Sequence, residues 1–390
     1  MTGVQTCALP IFTFKYDARE AWPCDDRSEI SMTKNRIFWA IVAPVAAIFI
    51  SVFFVYIILK IKGVDPIEMF KLMVSYGFEP RNIVAELNQT TAYYLAGVAA
   101  AIGFKMLLFN IGIDGQYRLG IFFAAVVGGA INLPAFLQIP IIIAVAMIVG
   151  GLWSAIAGYL KVKRGVSEVI SNIMLNFIAD GIVIYLLNPA RMAFRPENSQ
   201  NIQTYTIPKS GWLPTIKIFD GEIYSFIFVA IGVGVAYWIL LNRSVFGFNL
   251  RATGMSFRAA RASGVNAPRM IFITTVISGA VAGLTGLGAL LSDTHYYSLA
   301  FPSAYAFTGL SIALLGRNHP VGIFFGAFLW SFLERAAGVL DLEGVPPEII
   351  IVMQGTIVIS IVVAYELVAR INLRQQQRAV GTAATAEQGA

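Results

Sequence analysis

IPIIIAVAMIVGGLWSAIAGYL, residues 139–160, followed at once by Lys161, Lys163 and Arg164, decides the class of this chain. The stretch carries no charge over 22 residues, and about 20 apolar residues wound as a helix cover the roughly 30 Å of hydrocarbon in a bilayer. The basic cluster that follows is the kind of stop that holds a span end at a membrane surface.

Working outward, nine further apolar runs predict helical spans, at about 37–59, 91–109, 119–134, 166–187, 222–241, 270–292, 303–316, 320–337 and 348–369. The runs at 119–134, 303–316 and 320–337 are short or interrupted by Pro and Gly, so broken, tilted or re-entrant helices are expected there. The fold class predicted is an all-α polytopic membrane protein with about ten (8–10) transmembrane helices. Composition agrees. Of 390 residues, 57% are hydrophobic and 13% charged, about half the charged fraction of a water-soluble domain; the mean hydropathy is +0.71.

The net charge of +6 does not gather into one basic face, which argues against nucleic acid as a partner. The basic residues punctuate the apolar runs and so set topology. With both termini cytoplasmic, the inner segments collect Lys34, Arg36, Arg118, Lys161, Lys163, Arg164, Arg243, Arg251, Arg258, Arg261, Arg269, Arg317, Arg370, Arg374 and Arg378. The outer segments hold Lys60, Lys62, Lys71, Arg81, Arg191, Arg195, Lys209, Lys217 and Arg335. The opposite orientation would place the five-arginine segment 243–269 outside, against the positive-inside bias.

Residues 1–31 differ from the rest in being rich in charge, and their apolar stretch Ala8–Phe12 is too short for a signal-peptide core. They read as a non-native leader, with Met32 as the expected start. Residues 32–370 form the transmembrane body, and 371–390 a polar, disordered cytoplasmic tail. Both cysteines, Cys7 and Cys24, lie in the leader, and His295 and His319 stand far apart in sequence, so no metal or haem constellation is predicted.

Four stretches could carry function. In 243–269 five arginines occur without a carboxylate, and residues 255–263 suit a short helix lying along the membrane, which Gly264 would end. Such an element fits docking on an acidic groove of another protein, or anchoring on anionic lipid. In 168–180 Glu168, Asn172, Asn176 and Asp180 recur every four residues, as a solute pathway or as interhelical glue. In 109–116 Asn110, Gly112, Asp114, Gly115 and Gln116 interrupt the apolar pattern, as a tight turn or as backbone approaching a solute or helix. Tyr296, Tyr297, Phe301, Tyr305 and Phe307 form an aromatic group suited to a nucleobase or to an interfacial belt. A weak echo links Gly97–Gly103 and Gly120-Ile-Phe-Phe with Gly309–Gly316 and Gly322-Ile-Phe-Phe, as an internal duplication or a chance similarity.

GVNAPRMIFITTVISGAVAGLTGLGALL at 264–291, FNIGIDGQ at 109–116, GVSEVISNIMLNFIAD at 165–180 and GLSIALLGRNHPVGIFFGAFL at 309–329 together resemble ABC transporter inner-membrane permeases. The family is that of branched-chain amino acid and simple-sugar permeases, and the likeness, from Thr91 to Arg370, is greatest to its nucleoside-uptake members. The resemblance implies a bacterial inner-membrane permease subunit with the ABC importer permease fold. It would pair with an identical or sister permease, bind two ABC ATPase subunits carrying ATP and magnesium, and take solute from an extracytoplasmic binding lipoprotein. The chain itself holds no Gly-Lys-Ser/Thr phosphate loop, so no ATPase site and no cofactor are predicted in it. Arg251, Arg258, Arg261, Gly264 and Asn266 become the expected ATPase-coupling residues; Asn172, Asn176, Asn110 and Tyr305 are the expected pathway residues. The competing class is an ion-coupled secondary transporter using Asp180 or Glu334; an ABC permease for simple sugars or branched-chain amino acids is the nearer alternative. An intramembrane enzyme would need a nucleophile-and-base pairing that the sequence does not display.

Overall fold

A computed structural model describes residues 49, 52–57, 59–61, 63, 65–197, 201–218, 220–342, 348, 351–356, 358–360, 363 and 370. The leader 1–31 and the tail 371–390 lie outside the described residues, as does most of the first predicted span and part of the last. The elements below belong to one unit, Ala47–Val363.

The short helix α1, Pro66–Gly77, starts where the Asp65 carboxylate accepts the Ile67 N–H at 2.9 Å and Pro66, having no N–H, needs no acceptor. After it, α2 runs Pro80–Phe104, and from Tyr93 to Gly103 it is buried on every face. Its small residues make that possible. A Cβ at Gly97 would lie 2.7 Å from the Ile323 side chain, so only glycine lets the later helices close onto α2. Helices α3 (Ile113–Ala130), α4 (Ala135–Arg164) and α5 (Glu168–Leu186) follow, α4 stopping at Gly165 in the left-handed conformation, φ 68°.

The described residues 187–197 and 201–214 lead on from α5 with a single 3₁₀ turn, Lys209–Gly211, and isolated bridges join Phe194 to Gln203 and Gln203 to Ser298. A hairpin follows, β1 (Thr215–Ile218) on β2 (Gly221–Tyr224), with Thr215 opposite Tyr224. Then come α6 (Phe226–Arg243), α7 (Val245–Met255), α8 (Phe257–Ala262) and α9 (Ala267–Ala282). The chain continues through α10 (Leu287–Ala289) and a π-helical turn, Leu290–Thr294, to α11 (Tyr305–Leu315) and α12 (Pro320–Leu342).

The tightest seam joins α4 to α9. Gly150 and Ser154 face Gly279 and Gly283, one turn apart on each helix, and a Cβ on Gly150 would stand 2.5 Å from the Gly279 carbonyl oxygen. Ser154 Oγ donates across the seam to the Thr275 carbonyl at 2.9 Å. In hydrocarbon, close backbone approach through small residues replaces the hydrophobic drive that water supplies elsewhere.

Among the described residues, five helices are long and apolar enough to cross a membrane: Ala135–Arg164, Glu168–Leu186, Phe226–Arg243, Ala267–Thr294 and Pro320–Leu340. The run 303–316, expected as a short or broken helix, holds an 11-residue helix, about 16 Å long at 1.5 Å per residue, half a bilayer core. Two expectations need correction. The predicted outer segment 60–90 contains α1 and the first turns of α2, because Asn82 and Glu86 are buried inside the helix packing instead of marking a loop. Arg118, assigned to an inner loop, sits within α3 and pairs with Asp180 of α5 at 2.6 Å. Both copies of the glycine echo end a helix and turn through left-handed residues, Leu107 (φ 58°) in the first, Arg317 and Asn318 (both φ 54°) in the second.

Candidate functional site

The ends of α2, α4, α6 and α11 and the starts of α5, α9 and α12 meet at one end of the unit, where the basic residues concentrate. Segment 243–269 covers part of that end and is built from capped pieces. Ser244 Oγ accepts the Gly247 N–H at 3.0 Å to open α7, and Ser256 Oγ accepts the Ala259 N–H at 3.3 Å to open α8. Gly264, φ 83°, closes α8, with the Val265 N–H returning to the Ala260 carbonyl at 3.0 Å. Asn266 Oδ1 then accepts the Arg269 N–H at 3.1 Å and opens α9. The expected helix 255–263 is therefore Phe257–Ala262, preceded by the separate α7.

Ala260 is the buried face of α8; Met255, Phe257, Arg258, Arg261 and Arg269 are exposed. Arg251 is turned inward. Its guanidinium donates to the Leu241 carbonyl and, at 3.3 Å, to Asn242 Oδ1, tying α7 to the end of α6. The segment also grips α2, since Gly254 lies so close to the Lys105 carbonyl oxygen that a Cβ would overlap it. One residue on, Met106 Sδ accepts the Thr274 hydroxyl at 3.1 Å. The exposed α8 is thus linked through α7 to the ends of α2 and α9.

From Lys105 the chain enters a polar knot that joins three of the predicted pathway residues. Asn110 Nδ2 donates to Ser278 Oγ at 2.7 Å and to Gln116 Oε1 at 2.9 Å, and Gln116 Nε2 returns to Asn110 Oδ1 at 3.0 Å. Asn176 accepts the Gly115 N–H and donates to the Ile111 carbonyl, both at 2.9 Å. Asn172, 2% exposed, reaches the Phe109 carbonyl at 3.5 Å. The glycines of FNIGIDGQ are where α5 arrives: a Cβ at Gly112 would sit 2.5 Å from Asn172 Oδ1, and at Gly115 2.9 Å from Asn176 Oδ1. Asn110 and Asn172 border a crevice of about 10 Å³, space for one water. At the ends of the ladder Glu168 pairs with Lys161 and Asp180 with Arg118.

Above the knot, α11 begins inside the protein. Asp114 of α3 accepts the N–H groups of Tyr305 at 2.8 Å and Ala306 at 3.4 Å, giving the half-helix a cap from another helix and a negative charge at its positive dipole end. Tyr305, 5% exposed, packs between Tyr93 and Tyr117, ring centroids 5.5 and 5.0 Å away. Tyr297 stacks on Phe301 at 5.4 Å and is also buried. These rings belong to the interior, which overturns the interfacial-belt reading for them. His295 stacks on Trp212 at 3.7 Å.

Beside Tyr305 opens a cavity of about 280 Å³ bordered by Asn88, Gln89, Thr285, Phe301, Tyr305 and Arg335. Asn88 is committed to the hairpin, donating to the Glu222 carbonyl at 2.8 Å and accepting the Tyr224 N–H at 2.9 Å. Gln89 Nε2 donates to Tyr93 Oη at 3.0 Å, and Tyr93 in turn donates to Glu334. Thr285 Oγ1 and Arg335 Nε are buried without a hydrogen-bond partner, as are both carboxylate oxygens of Glu86, which is 0% exposed. Of the predicted pathway residues only Tyr305 borders this cavity. Sequence reasoning missed Gln89, Thr285 and Arg335, although an arginine flanked by apolar runs was the available signal. A second cavity, about 480 Å³ between α2, α6 and α12, is walled mainly by apolar side chains such as Ile231, Trp238 and Phe324.

Comparison with known proteins follows the same line. The model of a family described as branched-chain amino acid transport system / permease component matches residues 82–363. A guanosine ABC transporter permease protein of Bacillus subtilis is 33% identical over 284 residues, covering 72% of this chain and 81% of its own. A nucleoside ABC transporter permease protein of Lactococcus lactis is 28% identical over 339 residues, 83% and 91% of the two chains. A glucose ABC transporter permease protein of Haloferax volcanii is 26% identical over 309 residues, 77% and 81%.

Proposed function

The chain belongs to the branched-chain amino acid transport system / permease component family, and from that membership we propose that it is the permease subunit of an ATP-binding cassette importer carrying nucleosides across the bacterial inner membrane. The observation that carries the reading is α8: a six-residue helix with a free basic face, capped at its start, closed by Gly264 and linked through α7 to α2. A lipid anchor needs charge; it does not need a rigid lever. Arg258 and Arg261 meet the ATPase in this proposal, while Arg251, Gly264 and Asn266 hold the lever's shape.

The basic end then faces the cytoplasm. Separate ATPase subunits supply the energy. A second permease, identical or sister, completes the pathway, and a binding lipoprotein delivers solute at the hairpin end. The nucleoside assignment follows the relatives of Bacillus and Lactococcus; the glucose relative makes a sugar the second reading. An ion-coupled mechanism loses its two carboxylates, because Asp180 is paired with Arg118 and Glu334 accepts from Tyr93.

The test is reconstitution in liposomes of the chain alone, and with its ATPase, sister permease and binding protein, following labelled nucleoside and glucose uptake with and without ATP. ATP-dependent nucleoside uptake by the full assembly is expected. Gradient-driven uptake by the lone chain would overturn the proposal.

A further inference from the structure

We propose that the cavity bordered by Gln89, Thr285, Phe301, Tyr305 and Arg335 is a transit site for a purine nucleoside, and that Arg335 is its specificity-determining residue, reading the O6/N7 edge of a 6-oxopurine base. This rests on the nucleoside reading above. A guanidinium in a membrane-spanning helix is costly, and such groups face protein or a water-filled cavity with a partner. Arg335 makes no ion pair among the described residues, and its buried Nε has no hydrogen-bond partner. Glu86 lies near enough to act on it through space, yet both Glu86 oxygens are also without hydrogen-bond partners. Glu86 therefore does not use up the donor fork.

The cavity selects what that fork would meet. At about 280 Å³ it is near the lower end of small-molecule sites, room for one nucleoside. Phe301 and Tyr305 offer ring surface to a flat base. Thr285, 1% exposed with an unpartnered hydroxyl, supplies a group that can donate or accept. Guanidinium carries only donors, so the matching edge has two adjacent acceptors, as O6 and N7 do in guanine and hypoxanthine. Adenine presents an amino donor in place of O6. A phosphorylated solute fits poorly, since Arg335 is the single cation among the described residues of the wall.

The test uses the full assembly in proteoliposomes, at concentrations that saturate the binding protein. It compares maximal ATP-driven uptake of guanosine with that of 7-deazaguanosine, which lacks the N7 acceptor. The wild type is expected to prefer guanosine about fivefold or more, and Arg335→Lys, which keeps the charge but loses the planar fork, to bring the ratio close to one. An unchanged ratio in Arg335→Lys, including an equal fall for both solutes, would assign Arg335 to charge balance and overturn the proposal. A wild-type ratio of one would do the same. Absence of nucleoside uptake by the wild-type assembly would instead remove the nucleoside reading itself.

Discussion

Replacing Asp114 by alanine removes the cap of a half-helix whose own N-cap residue, Ala304, supplies no side-chain hydrogen bond. Two backbone donors, at Tyr305 and Ala306, point at this carboxylate from 2.8 and 3.4 Å. The shorter bond, to a charged acceptor, is worth about 1.5–3 kcal/mol, and the favourable dipole about 0.3–1 kcal/mol more. The longer bond adds little. Asp114→Ala is therefore expected to destabilise the protein by about 2–4 kcal/mol, read as a Tm in detergent lower by roughly 5 °C or more. Asp114→Asn keeps one acceptor and loses the charge, so about 1 kcal/mol is expected. Because the N-terminus of α11 adjoins Tyr305 on the cavity wall, ATP-driven uptake should fall along with stability. An Asp114→Ala protein with wild-type Tm and wild-type uptake would refute the claim that this carboxylate holds the half-helix.

The other predictions concern the seam, the lever, the charged pair and the polar knot. Gly279→Val should abolish a monodisperse peak in size-exclusion chromatography, because a branched side chain would overlap Ser154 and the Gly150 carbonyl; a normal elution profile would contradict the α4–α9 packing. Arg258→Glu with Arg261→Glu should weaken ATPase co-purification while membrane insertion persists, and unchanged co-purification would remove these arginines from docking. Asp180→Asn should cost about 1–2 kcal/mol, less than for a fully buried pair because both partners are partly exposed. The double change Arg118→Met with Asp180→Leu should cost less than the sum of the singles in a thermal-shift cycle; strict additivity would show that the two charges do not interact. Asn176→Ala strands the Gly115 N–H and the Ile111 carbonyl, and a loss of about 1–3 kcal/mol is expected by the same measurement.

Membrane residence and the basic segment were legible in the amino-acid order, since span length and charge bias are properties of consecutive residues. So was the stop at Gly264, which stands in the left-handed geometry that closes α8; the caps supplied by Ser256 and Asn266 emerged only in the structure. Partnership between distant residues was not legible either. Nothing local distinguishes Arg118 in a loop from Arg118 facing Asp180 across two helices, or Glu86 at a membrane surface from Glu86 enclosed behind α12. The four-residue ladder announced that Asn172 and Asn176 had business on one side of α5; only packing revealed that they meet the glycines of FNIGIDGQ. The half-helix α11 and the Arg335 cavity likewise exist only once separate helices converge, because a cap supplied by another helix and a void between side chains are relations across space that a one-dimensional pattern does not encode.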